Sequence, residues 1–325
     1  YAWSATFGPY IWDGPRGIYH YHIWKVVCDE KKLDKIFFYF KLKHISDSIR
    51  RQGTGSIMDH ITKELMENFI ISIPSLDEQK NIGKVLHSLN TKIQNLQNQN
   101  HTLEQTAQAI FQSWFVDFDG VTEFEDSELG KIPKGWSVEK MTEIIEVNPK
   151  RKLEKNLFSP FLSMTNIPVH SSRISNFYYR NFTSGTKFEN GDTLLARITP
   201  SLENGKTAFV DFLQEDEIGW GSTEFIVLRP KAPFPPEYGY CLCRTDELRL
   251  HAIANMTGTS GRQRVQESCF DDYKIVKPSL DIIQNFSVIS KNIFLKIKEN
   301  GEAISSLTKT RDALLPKLMS GEIRV

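Results

Sequence analysis

Cysteine is scarce in this chain of 325 residues, which holds only Cys28, Cys241, Cys243 and Cys269. Four scattered thiols with no signal-peptide pattern exclude a disulfide framework and predict a reduced, cytoplasmic protein. Long hydrophobic runs are missing too, so no helical membrane span and no membrane partner are expected. Neither sign of charge prevails: 40 Lys and Arg stand against 40 Asp and Glu, for a formal net charge of +0. That balance argues against a protein that grips nucleic acid by bulk charge, so any DNA contact has to use local patches or a partner's charge. Also absent are a phosphate loop of the G-x-x-x-x-G-K-S/T kind and a Gly-rich dinucleotide or cofactor loop. Neither nucleotide hydrolysis nor a methyl donor has a seat, and no catalytic residue or bound cofactor is expected.

Several near-misses have plainer explanations. Cys241-Leu242-Cys243 is too tightly spaced for half of a zinc site and has no second pair. His20-Tyr21-His22 puts two imidazoles on one face of a strand, yet no third ligand lies at metal spacing, which favours a packed or DNA-facing pair. Asn148-Pro149-Lys150 starts like an amino-methyltransferase motif but lacks the second proline and the aromatic. Glu78-Gln79-Lys80 matches half of a nuclease metal motif. A helix cap accounts for that Glu, because Ser75-Leu76-Asp77-Glu78 has the S-x-x-E form that satisfies the first amides of a helix.

What the chain does contain is a repeat. Phe69 to Leu76 (FIISIPSL) aligns with Tyr273 to Leu280 (YKIVKPSL) at an offset of 204 residues. A helix with a hydrophobic heptad follows each copy. The first stripe is Ile82, Leu86, Leu89, Ile93, Leu96, Asn100, Leu103, Ala107, Ile110 and Trp114. The second is Phe286, Ile289, Ile293, Ile297, Asn300, Ile304, Leu307, Arg311, Leu314 and Leu318. Steps of four and three define coiled-coil seams. Matched length, matched phase and a domain-sized crossover predict that the two helices pair antiparallel within the chain, with Asn100 and Asn300 within one turn of each other. About 38 residues at roughly 1.5 Å each make a rod of about 57 Å.

Four blocks carry a resemblance to a known family: Ile73-Pro74-Ser75-Leu76-Asp77-Glu78-Gln79; Phe111-Gln112-Ser113-Trp114-Phe115-Val116-Asp117-Phe118; Glu128-Leu129-Gly130-Lys131-Ile132-Pro133-Lys134-Gly135-Trp136; and Leu314-Leu315-Pro316-Lys317-Leu318-Met319-Ser320-Gly321-Glu322-Ile323. In that order they resemble the specificity subunit of type I restriction-modification systems. The resemblance implies an α+β chain in which two mixed α/β target-recognition domains are separated by two long helices forming an antiparallel coiled coil. It also implies double-stranded DNA as ligand, two methyltransferase (M) subunits docked on the helices, motor-nuclease (R) subunits as further partners, and S-adenosylmethionine held by the partner methyltransferase. The expected division is 1–74 for a first recognition domain, 75–118 for the first helix, 119–277 for linker and second recognition domain, and 278–325 for the second helix. Gly191-Asp192-Thr193-Leu194 lies well inside the second domain, whereas Tyr1-Ala2-Trp3-Ser4 looks like the continuation of an equivalent strand, so the first domain is expected to lack its opening portion, roughly 70 residues by the repeat.

Local signals fill in the domains. Residues 1 to 30 read as β hairpins punctuated by Gly8-Pro9 and Asp13-Gly14-Pro15. Leu33 to Ile49 reads as a helix and Glu123 to Glu128 as an acidic linker. Met141 to Val147 reads as a short helix, Thr193 to Ile198 and Phe225 to Leu228 as strands, and Asn204-Gly205-Lys206 as a hairpin turn before Ala208. Tyr238 to Ile253 reads as one helix. This mixture predicts a small twisted sheet with flanking helices.

Two equivalent loops carry the side chains that read bases. Arg pairs with guanine and Gln with adenine in the major groove, and Arg50, Arg51 and Gln52 in one loop match Arg262, Gln263 and Arg264 in the other. Thr54, Ser56, Thr259 and Ser260 offer hydroxyls to phosphate, while Gly53, Gly55, Gly258 and Gly261 let backbone amides approach it. A second patch comprises Arg197, Thr199, Ser201, Asn204 and Lys206, with Ser4, Thr6, Tyr10, Trp12 and Arg16 as its counterpart. The resulting expectation is a non-catalytic DNA-sequence reader. A coiled-coil adaptor with protein-binding ends is the alternative that heptads alone would allow, and exposed aromatics would favour it.

Overall fold

Two helices dominate the computed structural model, which describes residues 1–4, 6–51, 61–259 and 261–325. They span Leu76–Phe115 and Leu280–Ser320, 40 and 41 residues. The chain forms two units: Tyr1–Asn95 with Ala303–Val325, and Leu96–Glu302.

In the first unit, the expected helix after the opening segment runs Lys35–Arg51. Phe37 and Phe40 pack with Ile82 and Leu86 of the first long helix and with Leu315, Leu318 and Met319 of the second. Residues 1–30 depart from the expected hairpins. Among their described residues only isolated bridges form, Ala2 to Gly8 and Ala2 to Ile23, because proline and glycine interrupt the runs before a ladder can extend. Ser75 caps the first long helix, accepting from Glu78 N at 3.4 Å. The second arm of a capping box is replaced by Gln79, which is buried. Gln79 accepts from Asp34 N at 2.8 Å and donates to Pro74 O at 2.9 Å and Lys32 O at 3.2 Å.

The second unit builds two four-stranded sheets. One orders Tyr178–Asn181, Phe158–Leu162, Gly219–Gly221 and Thr186–Phe188, with a single parallel pair, Phe158–Leu162 beside Gly219–Gly221. The other is antiparallel throughout and orders Ile145–Val147, Phe225–Pro230, Thr193–Ala196 and Thr207–Phe209. Three sequence readings are corrected here. The acidic linker is a hairpin, Phe124–Ser127 against Gly130–Pro133, because Lys134 reaches Glu123 at 2.8 Å and Lys274 pairs with Glu128, so the carboxylates have partners. The single helix from Tyr238 to Ile253 is broken into Pro236–Cys243 and Asp246–Ala254, since the Thr245 hydroxyl caps the second piece by accepting from Leu248 N at 3.4 Å. Met141–Ile144 is helical, but Ile145–Val147 becomes a strand paired with Phe225–Pro230.

The long helices pair antiparallel in each unit. In the first, Arg311 donates to Asn90 Oδ1 at 3.1 Å. In the second, Asn300 donates to Asn100 at 2.9 Å and Asn100 donates to Ile297 O at 3.2 Å, as the shared heptad phase predicts. Toward the end of the first helix the seam drifts off the heptad. Phe111 and Phe115 are buried at 1% and 7% exposure, while Ile110 and Trp114 are only partly covered. A straight helix turns every 3.6 residues and falls behind a 3.5-residue repeat by ~20° per heptad. Here the drift carries both rings onto Tyr238 and Phe286, with centroids 5.0–5.8 Å apart.

Candidate nucleic-acid interface

The second loop is the tip of a hairpin. Met256–Thr257 pairs antiparallel with Arg264–Val265, leaving 258–263 at the turn. Gly258 at φ 125° and Gly261 at φ 78° occupy backbone conformations that side-chained residues avoid, so turn geometry accounts for both. Ser260 lies outside the described residues.

Two patches that are separate in sequence meet in space. Ile198 bridges to Arg264, Thr199 N donates to Gln263 O at 3.0 Å, and Val265 N donates to Arg197 O at 2.9 Å. The ten residues connecting Thr193–Ala196 to Thr207–Phe209 thus lie directly beside the hairpin, with Gly205 at φ 74° closing the Asn204-Gly205-Lys206 turn.

The candidate side chains divide by what already holds them. Arg264 makes a two-pronged ion pair with Glu224 at 2.8–3.0 Å. Hydrogen bonding to that carboxylate pushes the guanidinium's pKa above its ordinary value. Arg197 donates to Val265 O at 3.0 Å and to Gln266 Oε1 at 2.7 Å. Lys206 donates to Met164 O at 2.8 Å, and Thr199 donates to Glu203 at 2.8 Å. Arg262 and Asn204 are exposed and Gln263 is half-buried, and no side-chain hydrogen bond holds any of the three among the described residues. Thr259 is exposed at the tip. Glu224 and Gln266 escaped the sequence reading because an isolated acid before a strand and a lone Gln after one have no distinguishing pattern; only the fold brings them onto Arg264 and Arg197.

The first loop is less fully placed. Arg50 and Arg51 end the helix Lys35–Arg51, and Arg50 lies over the Phe7 ring at 5.1 Å. Gln52, Gly53, Thr54, Gly55 and Ser56 lie outside the described residues. Of the counterpart patch, Tyr10 donates to Thr6 O at 3.0 Å and Trp12 to Pro15 O at 2.9 Å, while Ser4 is half-buried and Arg16 exposed. His20 and His22 pack ring against ring, centroids 4.7 Å apart, beside Tyr21. Cys241 and Cys243 are interior residues of Pro236–Cys243, where burial raises both thiols.

Different mutants should separate the two kinds of residue. Arg262→Ala is expected to cost ~1–3 kcal/mol of discrimination at one base position. Arg264→Ala is expected to loosen the hairpin, read as increased protease cleavage within 256–265 without DNA present. Equal protease resistance of wild type and Arg264→Ala would remove the splint assignment.

Two long helices that pair antiparallel within each unit, and mixed helix and sheet in the second unit, agree with the fold that the four sequence blocks imply. Residues 1–105 match the family model described as type I restriction modification DNA specificity domain. The chain is 28% identical over 304 residues to the type I restriction enzyme MjaIX specificity subunit of Methanocaldococcus jannaschii, covering 89% of this chain and 69% of that one. It is 24% identical over 363 residues to the HindI specificity subunit of Haemophilus influenzae, covering 88% and 74%. The crystal structure of a type I restriction-modification S subunit from M. genitalium superposes with TM-score 0.55 at 17% identity, over 89% of this chain and 74% of that one, and so shares the fold. The resemblance carried by the four sequence blocks therefore holds, and this chain is related to the type I specificity subunits. No helix among the described residues is long and apolar enough to cross a membrane.

Proposed function

We propose that the chain is the non-catalytic DNA-reading subunit of a type I restriction-modification complex. The observation that supports this reading is the Ile198–Arg264 bridge, which brings the segment holding Arg197 and Thr199 beside the hairpin that holds Arg262 and Gln263. The target is bipartite: the second recognition domain, 119–277, reads one half-site, and the first, 1–74, reads the other through Arg50, Arg51, Gln52, Thr54 and Ser56. The helices, 75–118 and 278–325, fix the spacer and dock two methyltransferase subunits, which hold S-adenosylmethionine; motor-nuclease subunits join that assembly in the cytoplasm. Val288 and Leu295, one heptad apart and 65% and 51% exposed, offer the helix pair an apolar docking stripe.

With zero net charge, the chain alone should bind DNA weakly and without turnover. Sequence-specific affinity, ~4–10 kcal/mol beyond non-specific binding, should appear on adding the methyltransferase partner, as read by competition binding at fixed salt. Methylation or cleavage by the isolated chain would overturn the assignment.

A second reading, the coiled-coil adaptor, draws on the exposed aromatics of one sheet edge, Phe158, Tyr178 and Tyr179 at 65%, 48% and 42%. It expects those residues to govern protein capture while DNA binding stays independent of sequence.

A further inference from the structure

Gly301 stands in the interior of the second long helix, where glycine costs about 1 kcal/mol relative to alanine. Its surroundings explain it. A methyl group there would overlap Nε, Cδ and Cζ of Arg173. Arg173 cannot swing aside cheaply, because its side chain is 16% exposed and paired with Asp211 at 3.0 Å. Lys298 and Glu302, also on the second helix, act on that same carboxylate.

The residues preceding Arg173 hold the other helix. Glu104 of Leu76–Phe115 accepts from Ser172 N at 2.8 Å, from the Ser172 hydroxyl at 2.7 Å and from the Ser171 hydroxyl at 3.3 Å. Burial raises this carboxyl above its ordinary value, against the three hydrogen bonds and nearby Arg244, which lower it. Arg244 in turn donates to Val169 O at 2.8 Å and Gly205 O at 2.9 Å. The same short segment is fused to the sheet edge: Phe209 N donates to Ser172 O at 2.8 Å, and Arg173 bridges in parallel to Phe209. Three residues therefore touch the first helix, the second helix and the sheet, one turn from the Asn100–Asn300 hydrogen bond.

We propose that the Ser171-Ser172-Arg173 segment, seated on Glu104 and Gly301, sets the angle at which the sheet containing Phe209, and with it the adjoining hairpin bridged at Ile198–Arg264, leaves the helix pair, making Glu104, Arg173 and Gly301 positioning residues for half-site spacing. The part about spacing rests on the DNA-reading function proposed above. A half-buried carboxyl with one oxygen accepting from three donors, and a glycine notch for a pinned guanidinium, are rigid contacts. Loss of either leaves the angle to the remaining contacts, among them Gln108, which donates to Cys241 O at 3.1 Å, the Phe209–Phe294 and Tyr240–Phe294 ring contacts, and the packing of Phe111, Phe115 and Phe286 on Tyr238.

The test uses the full chain, first alone and then in complex with its methyltransferase partner. Spin labels at Lys291 on the second helix and at exposed Glu146 on the sheet that contains Phe209, in a background with Cys28 and Cys269 replaced by serine, report the angle as a distance distribution. Gly301→Ala should displace that distribution and Arg173→Ala should broaden it, while Arg173→Ala combined with Gly301→Ala should remove the displacement. In the complex, methylation of a library with varied spacers should fall about tenfold at the wild-type spacer for Gly301→Ala, a loss of the size that small misplacements produce, with base preference in each half unchanged. A merely structural role predicts a change in melting temperature with neither readout moved, and that result would overturn the proposal. If the wild-type complex shows no bipartite target, the DNA reading fails, and the label distances still decide the seat.

Discussion

Replacing Asp192 by alanine should be among the most damaging single changes in this chain, costing the second unit ~3–5 kcal/mol, because it removes the fully buried carboxylate that two guanidiniums share and leaves them only the partly exposed Glu189. Asp192 is fully buried. It pairs with Arg229 at 2.7 Å and Arg151 at 2.8 Å and accepts from Glu189 N at 2.7 Å. Desolvation raises its carboxyl, opposed by the two arginines and the backbone amide. Thermal melting followed by the fluorescence of Trp220, which is 2% exposed in the same unit, reads the loss. A Tm within a degree or two of wild type would mean the network contributes little. The Gly191-Asp192-Thr193-Leu194 motif thus owes its Asp to burial beneath a strand start.

Phe111→Ala should cost ~3–5 kcal/mol, the usual range for a large aromatic removed from a packed core. Trp114→Ala, although Trp114 sits on the heptad and is the larger residue, should cost well under half of that. The heptad read from sequence orders them the other way. Phe111 is 1% exposed among Phe115, Tyr238 and Phe286, whereas Trp114 is only partly covered. Urea denaturation of the two variants checks the ranking, and a larger loss for Trp114→Ala would show that the seam keeps to the heptad.

That reversal marks where sequence reasoning stops. The long helices, their antiparallel pairing and the Asn100–Asn300 contact were legible because a 3.5-residue repeat sustained over tens of residues marks a helix seam, and two matched copies joined by a domain-sized crossover point to antiparallel pairing within the chain. The opening residues were not. Alternating aromatics between Tyr19 and Val27 look like strands, but a strand needs a partner, and among the described residues an isolated bridge from Ile23 to Ala2 forms there instead of a ladder. The acidic run at 123–128 read as a linker because its partners, Lys134 and Lys274, lie outside any local window. For the interface, residue type was legible and engagement was not. Arg262 and Arg264 are equivalent as letters, yet Glu224, forty positions away, occupies one of them. Gly301 carried no signal at all until Arg173 was seen against it.

The most direct test of the central claim is a genome-scale methylation map of the complex between this chain and its methyltransferase partner, for wild type and for Arg262→Ala combined with Gln263→Ala. A reader built as described gives an asymmetric two-part motif with an unread spacer, and the double variant relaxes base preference in one half while the other half and the spacer length persist. A single continuous motif, or a variant that leaves both halves as selective as wild type, would contradict it.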